Sequence, residues 1–521
     1  MKKGKNGARG ETVSLALLEN QCDIIEIRSA CEGKDLINLL SSSIKKYHLP
    51  TLAETSLNEK IAYEVALTAS ISSKRASVIL DRNGLAFAMD SLMSSVYTGV
   101  LGGFLILVFD EAGPPIGGIQ DSRTIGMFAK LPVFDPSSCE EVREMIGEGF
   151  VLSEKFQIPV MVRLHSQLTY KKERPQPVPL QPWKREGLFI KNSQRWAATP
   201  RFRYLLHLEL NKKLKEITGF FENQGESSSV LPKKISQPNL GIISCGANYP
   251  LIGSVLSEMG LGEQIPVLKV STPHPLPKKR VEGFVSDFNQ TLIFENALPT
   301  IEIQLDYRKK VMGKLNGAIP FKGEFTRKDI SFILSSAMMS CGLTPAKPVS
   351  QGKKPKTPEK MKPLLGREIS PYRPLTDRLR RAFPKAMVTG DRNAFGLALG
   401  LDRFHSALDT SSSINLASGL YHALHQDGET SRIIAITEGD AFFHSGISAL
   451  VNAVYNMAKF ILLILGGKGK KEEIEKIVYG CCIPNCEVIS HRNTDLLLKK
   501  VKQAFERIEK KEEGIVVFVL D

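Results

Sequence analysis

The chain has 521 residues, 42% of them apolar, and carries a formal net charge of +14. At roughly 150 residues per domain, that length suits three or four globular domains. The longest apolar stretches, such as Val100 to Phe109 and Phe460 to Leu465, run about ten residues or fewer, short of the ~20 that span a bilayer, so no membrane partner is expected.

The basic start, Met1-Lys2-Lys3-Gly4-Lys5, is separated from the first apolar segment by polar residues up to Thr12. A secretory signal is more compact than this, and a cytoplasmic location is expected. From there to about residue 165, β-rich segments (Ile24 to Ile27, Ala76 to Leu80, Phe104 to Phe109, Val133 to Phe134, Val160 to Leu164) alternate with segments of helical period such as Leu57 to Ser70. This predicts a doubly wound, largely parallel sheet with functional groups at strand carboxyl ends, occupying residues 1–170. Residues 171–237, rich in Pro, Lys, Gln and Ser, read as an irregular connection with a short helix or two.

A second α/β unit, residues 238–345, opens at Leu240-Gly241-Ile242-Ile243-Ser244 and continues through Val267 to Val270 and Thr291 to Glu295. A Lys/Pro-rich linker, residues 346–380, leads to a third unit, 381–521, with strands at Met387 to Thr389, Ile433 to Ile436, Phe460 to Leu465 and Ile515 to Leu520. The fold class is therefore α/β, three doubly wound domains in tandem. Lysines gather near 353 to 362 and in 468 to 511, where glutamates are mixed in. That pattern reads as solvated surface and not as a nucleic-acid face, for no aromatic interleaving accompanies it.

Of eight cysteines, only Cys481, Cys482 and Cys486 lie close together. Their spacing matches neither a bacterial iron-sulfur motif nor zinc knuckles, so they read as reduced structural thiols, with a redox or metal role as the other reading. No iron-sulfur cluster is expected in the chain.

Glu438-Gly439-Asp440 follows an apolar strand and precedes a probable helix beginning around Phe443 to Gly446. A carboxylate at a strand tip beside a helix start suits a divalent metal bridging a diphosphate, although most Gly-Asp pairs are simply turns with an N-cap. Here the sequence resembles a known family. The run Gly439-Asp440-Ala441-Phe442-Phe443-His444-Ser445-Gly446-Ile447, with Leu450-Val451-Asn452-Ala453-Val454-Tyr455-Asn456, is similar to the thiamine-diphosphate segment of the indolepyruvate:ferredoxin oxidoreductase large subunit. Similar too are Asn58 to Ala66, Tyr97-Thr98-Gly99-Val100, Gln120-Asp121-Ser122-Arg123, Phe128 to Val133, Thr272 to Pro277 and Val388-Thr389-Gly390-Asp391.

The resemblance implies pyrimidine-binding-like, transketolase-C-terminal-like and pyrophosphate-binding-like domains, in that order. It implies thiamine diphosphate with Mg²⁺, Glu59 as the carboxylate that serves the aminopyrimidine ring, and a diphosphate held near Gly390, Asp391, Gly439 and Asp440, with the metal on Asp440. A homodimer and a smaller partner subunit are expected in the same way.

Several segments depart from the family pattern. Ile464-Leu465-Gly466-Gly467-Lys468-Gly469-Lys470 stands where the family has an Asp-Asn pair, and no side-chain oxygen remains there; with Lys468 and Lys470 nearby, weaker metal binding is expected, or a lysine meeting phosphate directly as a point charge. Arg28 to Glu32 replaces a Tyr-Pro-Gly-Thr-Pro loop, and Arg82-Asn83-Gly84-Leu85 a His-containing stretch. A C-terminal ferredoxin-like domain is not expected, since the chain ends at Asp521. Three functions fit: oxidative decarboxylation of indolepyruvate or a related aryl 2-oxo acid, a non-catalytic scaffold or regulatory paralogue, or binding of another phosphorylated ligand through Lys468 and Lys470.

Overall fold

A computed structural model describes residues 6–28, 33–110, 121–168, 179–197, 199–223, 239–262, 264–341, 370–392, 394–400, 403–426, 432–466, 470–510 and 512–521. The chain forms two compact units, Met1–Lys356 and Thr357–Asp521. The expected linker at 346–380 lies mostly outside the described residues.

The first unit holds two sheets. One is built from β1 (Ile24–Arg28), β2 (Leu52–Thr55), β3 (Ala76–Asp81), β4 (Phe104–Asp110), β5 (Val133–Phe134) and β6 (Val160–His165), all parallel, in the order β2-β1-β3-β4-β6-β5. The other has β7 (Leu240–Ser244), β8 (Val267–Lys269), β9 (Gln290–Phe294) and β10 (Val311–Met312) in the order β10-β9-β7-β8, also parallel. The second unit repeats the first plan with β11 (Met387–Gly390), β12 (Ser406–Ala407), β13 (Ile433–Glu438), β14 (Phe460–Leu465), β15 (Cys486–Ile489) and β16 (Ile515–Leu520), ordered β12-β11-β13-β14-β16-β15. The α/β expectation holds in all three sheets.

Alternation along a strand sends neighbouring side chains to opposite faces, and here both faces are covered. In the third sheet Ile434, Ile436, Ile461, Leu463 and Phe518 pack with Leu375, Leu379 and Val501 on one side. Ile433, Ala435, Phe460, Leu462 and Val517 pack with Ile414, Phe442 and Leu450 on the other. Each fully buried Leu, Ile or Phe contributes roughly 1.5–3 kcal/mol of transfer free energy, which explains why the central strands read as unbroken apolar runs.

One expectation for 171–237 needs correction. Where a short helix or two was foreseen, one short helix, Ser193–Trp196, is followed by Pro200–Asn223, a helix of 24 residues. Its Leu206, Leu210, Ile217 and Phe221 are buried on one face, and the last three join the first sheet's core, so tertiary packing outweighs a polar composition. Among the described residues no helix is long and apolar enough to cross a membrane.

Candidate functional site

In each six-stranded sheet the strand order reverses between its first and third strands, and at such a switch point a crevice opens beyond the carboxyl ends. The residues singled out from sequence fall at these two places, one in each unit.

In the first unit, Arg28 ends β1 and Asp81 ends β3, while Glu59 opens the helix Glu59–Ile71 after β2. That helix starts where it does because Asn58 caps it, its side chain accepting from the Ile61 N–H at 2.9 Å. It is anchored by buried Ala62, Tyr63, Ala66 and Ser70, with the Tyr63 hydroxyl 2.7 Å from Ser95 Oγ. Glu59 itself keeps only 12% of its side chain exposed and lies 3.9 Å from Arg28 Nε. It rests on Gly84, where an added Cβ would come within 2.5 Å of Glu59 Cγ. Gly84 is held in place by its own N–H donating to Asp81 Oδ1 at 2.8 Å. Neither Arg28 nor Gly84 was paired with Glu59 from sequence; both lie in segments that depart from the family, which was the available signal.

In the second unit, Asp391 follows β11 and is 2% exposed. Its Oδ1 accepts from the Ser413 N–H at 2.9 Å and its Oδ2 from the Thr437 hydroxyl at 2.6 Å. Burial pushes its carboxyl above the usual range, against the pull of the Thr437 and Ser413 donors. The carboxylate thus ties the end of β11 to β13 and to the start of the helix Ser412–Gln426. Gly390 lies under the Phe404 ring, whose carbons a Cβ would meet at 2.4–2.5 Å.

Gly439 and Asp440 follow β13 at the head of a continuous helical stretch reaching Tyr455, with a π turn at Phe442–Gly446. Strands β13 and β14 are paired down to Glu438 and Leu465, which brings Gly439 against the end of β14. A Cβ on Gly439 would stand 2.7 Å from the carbonyl oxygen of Gly466, and Gly466 has φ +71°. Only glycine suits both positions.

Asp440 is solvent-facing, and its Oδ1 accepts from Lys470 Nζ at 3.0 Å. The same ammonium lies 5.2 Å from the centre of the Phe443 ring. Mg²⁺ needs near-octahedral oxygen ligation. Here the carboxylate is engaged by an ammonium group and the neighbouring strand ends in glycine, so the donor set does not fit the metal that the resemblance assigns to Asp440. Lys468, the other expected phosphate contact, lies outside the described residues.

Leu131 to Val133 and Thr272 to Pro277 meet inside the first unit, and Arg123 reaches residues after the second sheet's strands. Val133 N–H donates to His274 O at 2.7 Å, and His274 Nδ1 is 2.7 Å from Leu131 O. Arg123, fully buried, donates to Asp121, to the Asn296 carbonyl at 2.7 Å and to Cys245 Sγ at 2.8 Å, with Asp135 at 3.8 Å and Glu295 at 3.7 Å. Arg163 adds bonds to Asp110 at 2.8 Å and Asp135 at 3.2 Å. These motifs join the first and second sheets. Seven cysteines are described, all as free thiols, and no group of three or more His, Cys, Asp or Glu side chains among the described residues is gathered to hold a metal ion.

No protein-family model matches the chain. A solved 2-oxoglutarate:ferredoxin oxidoreductase from Magnetococcus marinus is similar in fold, with a TM-score of 0.50 at 14% identity over 63% of this chain and 64% of that one. The fold is accordingly that of the 2-oxoacid:ferredoxin oxidoreductases. The indolepyruvate oxidoreductase subunit IorA of Archaeoglobus fulgidus is 27% identical over 546 residues, 98% of this chain and 84% of its own length. That of Pyrococcus abyssi is 30% identical over 438 residues, 79% of this chain and 67% of its own. The chain belongs to the indolepyruvate oxidoreductase subunit IorA family.

Proposed function

We propose that this chain is the thiamine-diphosphate subunit of a 2-oxoacid oxidoreductase acting on indolepyruvate or a related aryl 2-oxo acid, cytoplasmic and homodimeric, with a smaller partner subunit. The observation that carries this is Glu59: a mostly buried carboxylate at a sheet switch point, on a capped helix, with a glycine kept beneath it. The cofactor, when bound, supplies a thiazolium carbon that adds to the 2-oxo carbon of the substrate once its proton is lost. Glu59 would hold a proton shared with the aminopyrimidine ring, and the Gly439–Asp440 turn would face the diphosphate. Electrons would leave through clusters of the partner subunit.

Isothermal titration of the full chain with thiamine diphosphate tests the cofactor, and 2-oxo acid oxidation by the complex with its partner tests the reaction. Glu59→Gln is expected to keep the fold and to lower turnover about a hundredfold or more, the scale of a positioned acid-base group. Turnover unchanged in that variant removes Glu59 from the role.

A second reading, a non-catalytic scaffold or regulatory paralogue, is favoured by the lysine on Asp440 and by Arg28 at 3.9 Å from Glu59. It predicts a stable complex without oxidative decarboxylation, and any such rate dependent on Glu59 counts against it.

A further inference from the structure

The carboxylate that the family resemblance reserves for a divalent cation already carries a cation of the chain's own. Lys470 Nζ sits 3.0 Å from Asp440 Oδ1 and is also held over the Phe443 ring at 5.2 Å. Asp440 and Phe443 belong to one helical stretch, and Lys470 immediately precedes the helix Lys471–Gly480, so backbone elements on both sides fix the ammonium group at the end of β13. Among the described residues, Lys471, which follows Lys470, is engaged elsewhere, 3.6 Å from Asp521.

An ion pair with side chains 49% and 64% exposed adds little to folding, because water screens it. What the arrangement changes is therefore the charge at this spot more than the stability of the fold. The next strand ends in Gly466, without a side-chain oxygen, and its carbonyl is pressed toward Gly439. A carboxylate already engaged, with no side-chain oxygen on Gly466, is a poor Mg²⁺ site. An ammonium group suits the same place: it needs no octahedral shell, spends one of its three N–H donors on Asp440, and keeps two for phosphate oxygens.

We propose that Lys470 stands in for the divalent cation, so that this chain binds the diphosphate of its cofactor without metal. The inference rests on the thiamine-diphosphate reading above. It concerns binding only and requires no covalent step.

The test is titration of the full chain with thiamine diphosphate, and separately with inorganic pyrophosphate, in chelator and then in Mg²⁺. The wild type is expected to bind with affinities in the two media that agree within about threefold, and Lys470→Ala is expected to lose about tenfold or more in chelator, with little of it regained on adding Mg²⁺. Lys470→Arg, which keeps the charge, is expected to remain indifferent to metal. Lys470 is half-exposed, so both variants fold. Wild-type affinity rising about tenfold or more with Mg²⁺, and Lys470→Ala behaving identically, overturns the proposal while leaving the cofactor reading intact. Metal-independent pyrophosphate binding that requires Lys470, without thiamine diphosphate binding, keeps the tethered cation and removes the cofactor reading. No heat with either ligand overturns both.

Discussion

Gly84 and Glu59 occupy the space of a single larger pair: a methyl group on Gly84 would lie 2.5 Å from Glu59 Cγ and 3.3 Å from its Oε1. The position of the carboxylate is therefore set as much by what residue 84 lacks as by the helix that carries it. Gly84→Ala forces Glu59 into another rotamer. Alanine gains up to about 1 kcal/mol of helix propensity over glycine in Arg82–Phe87, which offsets part of the crowding. The melting temperature should stay close to that of the wild type while thiamine diphosphate affinity or turnover falls about tenfold or more, a difference of about 1.4 kcal/mol. Full binding and turnover in Gly84→Ala would show that the contact is incidental.

Asp391 makes a different prediction. Because both its oxygens accept hydrogen bonds inside the protein, Asp391→Ala strands the Ser413 N–H and the Thr437 hydroxyl and should cost about 1–3 kcal/mol. Asparagine can still accept from Ser413, and its amide can donate to Thr437, which then turns from donor to acceptor. Asp391→Asn should therefore retain most of the stability in urea denaturation. Equal losses in the two variants would mean that the negative charge, and not the pair of hydrogen bonds, is what the site uses.

Removing Arg123 leaves Asp121, Asp135 and Glu295 around an empty position with no exposure to water. Breaking a buried ionic cluster by deleting one partner typically costs about 3–5 kcal/mol, so Arg123→Met should unfold at much lower denaturant than the wild type. The transition to watch is that of the first unit. A change below about 1 kcal/mol would mean that the cluster is paired loosely enough for water to replace the guanidinium.

Glu295 supplies the pH dependence. Burial pushes its carboxyl from an ordinary 4.5 up to about 7, against Arg123 and the Ile301 and Glu302 N–H groups, which pull it down. The folded state therefore holds a proton that the unfolded chain releases, so this group's contribution is complete below 4.5 and is lost as pH rises toward about 7. Glu295→Gln cannot titrate. Whatever constant cost it carries, its stability relative to the wild type should improve between about pH 5 and about pH 7.5. A constant offset across that range would place the titration of Glu295 elsewhere.

The three sheets could be read from the chain because their central strands are buried on both faces and so appear as Phe104 to Phe109, Phe460 to Leu465 or Ile515 to Leu520, runs that no surface element shows. Of the edge strands, Val133–Phe134 and Val267–Lys269 were still readable, but others left no such trace. Leu52–Thr55 is largely exposed, and Val311–Met312 and Ser406–Ala407 have two residues each, so hydrogen bonding to a neighbour, not composition, makes them strands. Of the site, the motif Gly439-Asp440 was legible as a strand end. Lys470 was legible too, with Lys468, as a lysine near the site; that it bonds Asp440 itself follows only from the pairing of β13 with β14. Asp391 shows the converse, since a carboxylate after a strand looks the same in sequence whether it faces solvent or, as here, is spent holding two strands and a helix together.

The repeated strand order of the two large sheets bears on how such a protein changes over time. Everything that decides what is bound hangs on the loops beyond the strand tips, while the packed strands behind them are indifferent to those loops' composition. Exchanges confined to such loops therefore cost the scaffold less than exchanges in the packed strands. A lineage can shed a metal or exchange one cation for another in small steps, each on a folded protein, which is how distant relatives come to agree in their strands and differ at their tips.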